Sequence, residues 1–350
     1  MQALKLEGNY VALKNVAIPQ LYNPEEVLIK VAVTGVCGTD LHILSGDFDS
    51  VDGVTLGHEI IGVVQEVGSN CTTLKVGDRI AVNPHGNCGS CFYCERGLPH
   101  FCMKKALDSA LGMKRDGGFA SYCIAPAVSC HLLPESLSFE HGVYIEPYSC
   151  ILHAASRGEP IRESARVLIL GAGIIGLLAT IYFSHRNIKD IVVCELVEER
   201  RNTIKKMNLK GVSIVHPNDI KAEMAQNAGD PSWGFDRAFD FTGADPAIQM
   251  GFDVLRKRGR LILFGIMRKE SKVNFRSNDI LYKEITVTGA LTNPGTIKPA
   301  LDAIVKLSAE GALDMEKLNM KYYSLQDYDA AFSNLRDGSV SKAIFKLNDL

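Results

Sequence analysis

The sequence predicts a two-domain α/β protein, and three observations lead to this prediction. The chain has 350 residues, which is more than one hydrophobic core usually organises. Its first part contains short strand-like segments separated by glycine and aspartate turns. From about residue 163, strand-like and helical segments alternate, a pattern typical of a parallel sheet covered by helices.

The first part of the chain is mostly β structure. Short apolar runs typical of strands lie at residues 27 to 33, 61 to 67 and 79 to 82. The first five residues lead into a further strand and lack the basic, apolar and small-residue stages of a secretory signal. We therefore expect a cytoplasmic protein.

The second part of the chain has the alternating pattern. Strand candidates lie at residues 167 to 170, 191 to 194, 236 to 241, 260 to 264 and 285 to 288. A helical stretch follows Gly176, and a charged helix begins near Glu198. This alternation predicts a doubly wound parallel sheet, and the last sixty residues return to mixed content.

Composition excludes two classes of partner. Hydrophobic residues make up 46% of the chain and charged residues 22%, as in globular proteins, and no apolar run approaches the roughly 18 residues that span a bilayer. The net charge of −2 provides no positive field to attract nucleic acid. We expect neither a membrane span nor a nucleic-acid partner.

The most specific motif is a cysteine-rich loop. Its spacing is Cys88-x2-Cys91-x2-Cys94-x7-Cys102, and in a cytoplasmic chain such clustering indicates a metal before disulfides. Four thiolates fill the tetrahedral shell of zinc and leave no position for substrate, so this zinc would be structural. The alternatives are four incidental thiols and a zinc-bearing nucleic-acid module, and the net charge of −2 does not favour the second.

A second group of candidate metal ligands is dispersed along the chain. It comprises Cys37, His58 and a carboxylate, from Glu59 or Glu146. Three protein ligands with one open position are what a catalytic zinc requires. Taken singly, each of these residues has an ordinary explanation as a core or surface group.

A glycine-rich turn, Gly171-Ala172-Gly173-Ile174-Ile175-Gly176, follows an apolar strand and precedes an apolar helical stretch. In that context the glycines allow a tight turn and close approach of a pyrophosphate to the helix N-terminus. Glu195 follows nineteen residues later. Its carboxylate is placed to accept hydrogen bonds from the ribose hydroxyls of the coenzyme and to repel a 2′-phosphate, so we predict that NAD is preferred over NADP. Arg200 is an alternative contact for adenine or phosphate, unless it lies on a solvated helix face.

These motifs together resemble the zinc-containing medium-chain dehydrogenase/reductase family. The stretch that carries its zinc signature is Gly57-His58-Glu59-x2-Gly62-x5-Gly68-x2-Cys71. The four-cysteine loop, Asp116 to Ala120, Glu146-Pro147 and the glycine-rich turn follow in family order over nearly the whole chain. The resemblance implies a GroES-like β-barrel catalytic domain from residues 1–150 and 290–350, and a Rossmann-like coenzyme domain from residues 151–289.

The resemblance also implies roles for individual residues. Two Zn²⁺ ions per subunit are expected, one catalytic and one held by the four-cysteine loop. Thr39 and His42 would form a proton relay beside the catalytic zinc, although His42 is alternatively a surface histidine. Asp40 is a candidate to hold one of the zinc ligands in position without binding the zinc itself.

The carboxylate points to a branch of the family. Simple alcohol dehydrogenases generally place a cysteine where Glu146 stands, whereas sorbitol-like and threonine-like dehydrogenases have a glutamate there. We therefore expect oxidation of a small-molecule secondary alcohol, most of all a polyol or sugar-derived alcohol. The resemblance also implies a homo-oligomer, either a dimer or a tetramer. The alternatives are a threonine- or butanediol-type dehydrogenase and a non-catalytic coenzyme-binding protein.

Overall fold

A computed structural model of the chain describes residues 1–105 and 107–350. In this range the chain forms two compact units. The first comprises Met1–Ser149, Asn293–Leu313 and Met320–Leu350, and the second comprises Cys150–Thr292 and Asp314–Asn319.

The strands of the described chain are, in order, β1 (Gln2–Glu7), β2 (Tyr10–Asn15), β3 (Glu26–Gly35), β4 (Glu59–Val67), β5 (Arg79–Val82), β6 (Tyr122–Pro126), β7 (Cys130–Leu132), β8 (Arg166–Leu170), β9 (Asp190–Cys194), β10 (Val212–Val215), β11 (Phe235–Asp240), β12 (Leu255–Leu263), β13 (Thr286–Gly289), β14 (Met320–Tyr323) and β15 (Lys342–Lys346).

The α-helices are α1 (Gly38–Ser45), α2 (Phe139–Gly142), α3 (Ile145–Gly158), α4 (Ile174–His185), α5 (Glu198–Met207), α6 (Pro217–Gln226), α7 (Asp245–Asp253), α8 (Ser277–Lys283), α9 (Ile297–Ala309) and α10 (Tyr328–Asp337). Short 3-10 turns lie at Cys94–Arg96, Pro99–Phe101, Leu107–Ser109, Ala127–Ser129 and Leu325–Asp327.

The first unit is built around a mainly antiparallel sheet in the order β14-β15-β3-β4-β5-β7, with β6 also paired to β3. Its central strand β3 ends at Gly35, which lies opposite Glu59 at the start of β4 and opposite Ile344 on β15. The buried face is apolar, with Ile29, Val31 and Ile60 in one cluster. Three strands from distant parts of the sequence therefore meet at Gly35.

The second unit contains a six-stranded sheet in which all neighbouring strands are parallel. Its order is β10-β9-β8-β11-β12-β13. This is the strand order of the Rossmann fold, in which ligands bind beyond the carboxyl ends of the strands where the order reverses. The predicted parallel sheet is confirmed, and the reversal lies between β8 and β11.

Most predicted strands occur within a few residues of their expected bounds, because apolar runs between glycine turns are a strong strand signal. The predicted strands at residues 27 to 33 and 61 to 67 are β3 and β4. Two helices that carry candidate site residues, α1 and α3, were not predicted. In the residues that the structure describes, no helix is both long and apolar enough to cross a membrane.

Candidate functional site

Cys37 lies between β3, which ends at Gly35, and α1, which begins at Gly38. It is the residue that precedes the first helical turn, and its backbone is extended. Asp40 closes this turn, since its Oδ2 accepts the backbone N–H of Cys37 at 2.8 Å. The hydrogen bond fixes where the helix begins and thereby fixes the position of the thiol.

His58 and Glu59 lie where β4 begins, and both are buried, with 3% and 1% of their surface exposed. One ligand atom from each of Cys37, His58 and Glu59 lies within 4.8 Å of the other two. A sulfur, an imidazole nitrogen and a carboxylate oxygen are the donors that a catalytic zinc takes, with the fourth position open. The structure therefore brings together three of the four predicted catalytic ligands, and their chemistry fits zinc.

The surroundings of His58 are strongly anionic. Burial by itself lowers the pKa of His58, but the Cys37 thiol and Asp40 outweigh it, so that the pKa rises to about 10. Nδ1 of His58 lies 3.7 Å from Oδ1 of Asp40, beyond hydrogen-bond distance. Burial raises the pKa of Asp40. The same anionic groups that favour a proton on His58 would attract a metal cation, which must displace that proton to bind the imidazole.

Glu59 has a partner that the sequence analysis missed. The ammonium group of Lys342, the first residue of β15, pairs with Oε1 of Glu59, and both side chains are 1% exposed. Oε2 of Glu59 has no hydrogen-bond partner among the described residues. A buried carboxylate oxygen without a partner is costly, and a bound metal ion would remove that cost.

The second candidate carboxylate, Glu146, lies in the first turn of α3 and is 9% exposed. It is outside the group of ligand atoms within 4.8 Å of one another. Asn293 donates from Nδ2 to Oγ of Ser149 at 2.8 Å and lies 3.5 Å from Oε1 of Glu146. Glu146 is close enough to His58 to raise its pKa, so it belongs to the surroundings of the same site.

The two predicted relay residues differ in their contacts. Oγ1 of Thr39 lies 3.6 Å from Sγ of Cys37. The side chain of His42 is 31% exposed, and its Nδ1 lies 3.7 Å from Oδ2 of Asp47. Thr39 therefore borders the ligand group, and His42 is open to solvent.

The four-cysteine loop is folded into a compact cluster. The sulfur atoms of Cys88, Cys91, Cys94 and Cys102 all lie within 4.8 Å of one another. Cys88 and Cys94 are 4.0 Å apart at sulfur, which is too far for a disulfide and typical of two ligands on one metal. The short turns at Cys94–Arg96 and Pro99–Phe101 bring these residues together. The cluster fits a zinc ion whose coordination shell is complete.

The glycine-rich turn connects β8 to α4. Gly171 has a φ of +94°, which favours glycine, and a β-carbon on Gly176 would lie 2.0 Å from the carbonyl oxygen of Gly171. A β-carbon on Gly173 would meet no atom within 4 Å. Ile174 and Ile175 begin the helix, whose free N–H groups attract a phosphate. The first and last glycines thus allow the packing of helix on strand, and the middle one leaves open space for a ligand.

Glu195 follows β9 and is 6% exposed. Its Oε2 accepts the N–H of Ala172 at 2.7 Å, and its Oε1 accepts the N–H of Val197 at 2.8 Å. The carboxylate is thus held against the glycine-rich turn. Arg200 is half-buried, and Arg201 donates to the carbonyl oxygen of Glu195 at 2.9 Å, so neither lies on a fully solvated helix face.

Sequence reasoning missed Lys342, Asn293 and Asp240. Asp240 ends β11 and accepts the N–H groups of Thr242 and Gly243, which shapes the turn at the carboxyl edge of the sheet. The sequence signal that could have pointed to such residues is a polar residue next to an apolar run, as at Lys342 before Ala343. That signal is weak because most such residues are exposed.

Two family models match this chain. The model described as "Alcohol dehydrogenase GroES-like domain" matches residues 23–135, and the one described as "Zinc-binding dehydrogenase" matches residues 175–306. Among curated proteins, D-xylulose reductase A of Aspergillus niger is 32% identical, with 97% of this chain and 94% of that protein covered.

Sorbitol dehydrogenase of Halalkalibacterium halodurans is also 32% identical, over 91% of each protein. The chain belongs to the zinc-containing medium-chain dehydrogenase/reductase family. A solved zinc-binding dehydrogenase from Sinorhizobium meliloti, bound to NADP, is 29% identical with a TM-score of 0.89, covering 99% of this chain and 98% of that one.

Membership in this dehydrogenase family confirms several predictions. The combination of a GroES-like domain and a Rossmann-like domain is confirmed, as is the polyol dehydrogenase branch of the family. This dehydrogenase is an oxidoreductase that acts on CH–OH groups, with zinc and a nicotinamide dinucleotide as its cofactors. The alternative of a non-catalytic coenzyme-binding protein is therefore set aside.

Proposed function

We propose that this dehydrogenase oxidises a polyol or a sugar-derived secondary alcohol to the ketone with NAD. The observation that carries the proposal is the group of the partly buried Cys37 and the buried His58 and Glu59, with Glu146 in the same surroundings. Glu146 is the residue whose type, a glutamate where simple alcohol dehydrogenases generally have a cysteine, favours the polyol branch. The similarity to a sorbitol dehydrogenase and a D-xylulose reductase supports the same substrate class.

Cys37, His58 and Glu59 would hold the catalytic zinc. When bound, this zinc supplies a Lewis acid that lowers the pKa of the substrate hydroxyl. Glu146, whose Oε1 accepts a hydrogen bond from Asn293, would be an alternative carboxylate ligand of the zinc or a hydrogen-bond acceptor for a substrate hydroxyl. Between the two glutamates, the grouping of ligand atoms favours Glu59 as the direct ligand.

Thr39 and His42 would carry the proton from the substrate hydroxyl to solvent. Thr39 supports this role because its hydroxyl borders the Cys37 sulfur at 3.6 Å. The partial exposure of His42 suits the outer end of a relay, where the proton leaves the protein. The four thiols of Cys88, Cys91, Cys94 and Cys102 would hold the second, structural zinc.

The coenzyme would bind to the glycine-rich turn, with its pyrophosphate over Gly173 and the N-terminus of α4. Glu195 supports NAD over NADP because its buried carboxylate would meet a 2′-phosphate with like charge. Arg200 is the residue that would oppose this preference, since a guanidinium near the ribose can pair with a phosphate.

The first experiment is NAD reduction by the zinc-replete enzyme on a panel of substrates. The panel contains sorbitol and other polyols, sugar acids and their phosphates, with threonine and 2,3-butanediol as members of the alternative classes. We expect polyol-selective turnover with NAD above NADP and loss of turnover on chelation. Selective turnover of threonine or butanediol would refute the polyol proposal while leaving the zinc and coenzyme assignments intact.

The resemblance to the family implies that the chain forms homo-oligomers. We propose a homodimer or homotetramer, to be measured by size-exclusion chromatography with light scattering. A mass equal to one chain at micromolar concentration would contradict it.

A further inference from the structure

Lys342 has a charged side chain in the protein interior, where lysine is rare. It is fully buried at the first position of β15. Burying an ammonium group costs several kcal/mol unless a partner compensates it. The partner here is Glu59, which is equally buried and lies 283 residues away in sequence. An ion pair between such distant and deeply buried residues indicates a role at the site that contains Glu59.

The sheet register brings this pair together. Gly35 lies opposite Glu59 on one side and opposite Ile344 on the other, so the start of β15 is close to the start of β4. A β-carbon on Gly35 would lie 1.9 Å from Oε2 of Glu59 and 2.7 Å from Cε of Lys342. The absence of a side chain at Gly35 therefore provides the space that the pair occupies.

The two oxygens of the Glu59 carboxylate have different surroundings. Oε1 is bound to the ammonium group, whereas Oε2 has no hydrogen-bond partner in the part of the chain that the structure describes. Glu59 also belongs to the group of ligand atoms with Cys37 and His58. One oxygen is thus anchored, and the other has no hydrogen-bond partner among the described residues.

We propose that Lys342 is a positioning residue for the catalytic metal, which anchors Oε1 of Glu59 so that Oε2 is presented beside Cys37 and His58. This inference rests on the proposed function of these three residues as ligands. Lys342 contacts neither the metal nor the substrate in this arrangement. It acts through Glu59, and its charge offsets that of the carboxylate in a site rich in anionic groups.

The test is the metal affinity of Lys342→Met in the intact, zinc-loaded protein. Methionine keeps an unbranched stem of similar length but has no charge to hold Oε1. The matched control is Lys346→Met on the same strand, because the side chain of Lys346 is 52% exposed and pairs with the exposed Asp349 at 3.0 Å. Each protein is dialysed against increasing dipicolinate, and zinc per chain is measured by mass spectrometry.

We expect two zinc ions per chain in the unchanged protein and in Lys346→Met. Lys342→Met should keep the structural zinc and release the other at a chelator concentration roughly 10- to 100-fold lower, as for other residues that orient a ligand. The d–d spectrum of cobalt at the catalytic site should change in the same variant. Lys342→Arg, which restores the charge, should recover part of the affinity.

An unchanged chelator profile and cobalt spectrum in Lys342→Met would overturn the inference, even if its melting temperature fell, because a purely structural lysine alters stability alone. If Lys342→Met does not fold, Gly35→Ala tests the same point, since its methyl group must displace the carboxylate while both charges remain. Retention of both zinc ions at the original affinity in folded Gly35→Ala would then overturn it. A single zinc per chain in the unchanged protein would instead refute the proposed ligand set itself.

Discussion

The glycine-rich turn allows two substitutions with opposite expected effects. In Gly176→Ala the new β-carbon would lie 2.0 Å from the carbonyl oxygen of Gly171, a backbone atom that cannot move aside cheaply. In Gly173→Ala the β-carbon would meet no atom within 4 Å, and the φ of −67° at this position is ordinary for alanine. The same chemical change therefore probes packing at one position and ligand space at the other.

The magnitudes follow from these surroundings. Overpacking of this kind costs up to about 3 kcal/mol, and the higher helix propensity of alanine returns about 1 kcal/mol, so Gly176→Ala should lose about 2 kcal/mol. That corresponds to a fall of about 4 to 8 °C in melting temperature. Gly173→Ala should lower the free energy of unfolding by about 1 kcal/mol at most, because its one cost is that alanine is less favourable than glycine at the position that precedes the first turn of a helix.

The order reverses for coenzyme binding. A methyl group in the space over Gly173 should weaken NADH binding by about 1 to 3 kcal/mol, or roughly 5- to 150-fold. Circular dichroism gives the melting temperatures, and titration of NADH fluorescence gives the dissociation constants. Unchanged NADH affinity in Gly173→Ala would refute the placement of the pyrophosphate, and an unchanged melting temperature in Gly176→Ala would refute the packing argument.

Three further predictions concern the coenzyme, the structural metal and the buried thiols. Glu195→Ser should raise kcat/KM for NADP relative to NAD by at least tenfold, as the like charge is removed; an unaltered ratio would mean that Glu195 does not face the 2′ position. Cys91→Ser should reduce zinc to one ion per chain and lower the melting temperature, and retention of two ions would contradict the four-thiol assignment. Burial raises the pKa of the Cys123 thiol to about 12, so it is protonated at every pH below that value. Peptide mapping after iodoacetamide treatment at pH 8 should find Cys123 unmodified while partly exposed thiols such as Cys71 react, and alkylation of Cys123 as fast as Cys71 would contradict this prediction.

Much of this fold could be read from local sequence. The strand bounds of β8 and β9 follow from apolar runs between turn residues, and the helix α4 follows from the apolar stretch after the glycines. The four-cysteine cluster was equally predictable, because all its ligands lie within fifteen residues and a short loop can bring them together. In each case the interaction is local, so spacing along the chain contains the information.

Tertiary structure decided the rest. Sequence left the choice between Glu59 and Glu146 open, and the sheet register groups Glu59 with Cys37 and His58. It also gave no reason to connect Lys342 with Glu59, because their contact depends on two strand pairings that meet at Gly35. Residue type and spacing determine which chemistry is possible, but a contact between residues almost three hundred positions apart is determined by how strands pair, and pairing is a property of the folded sheet.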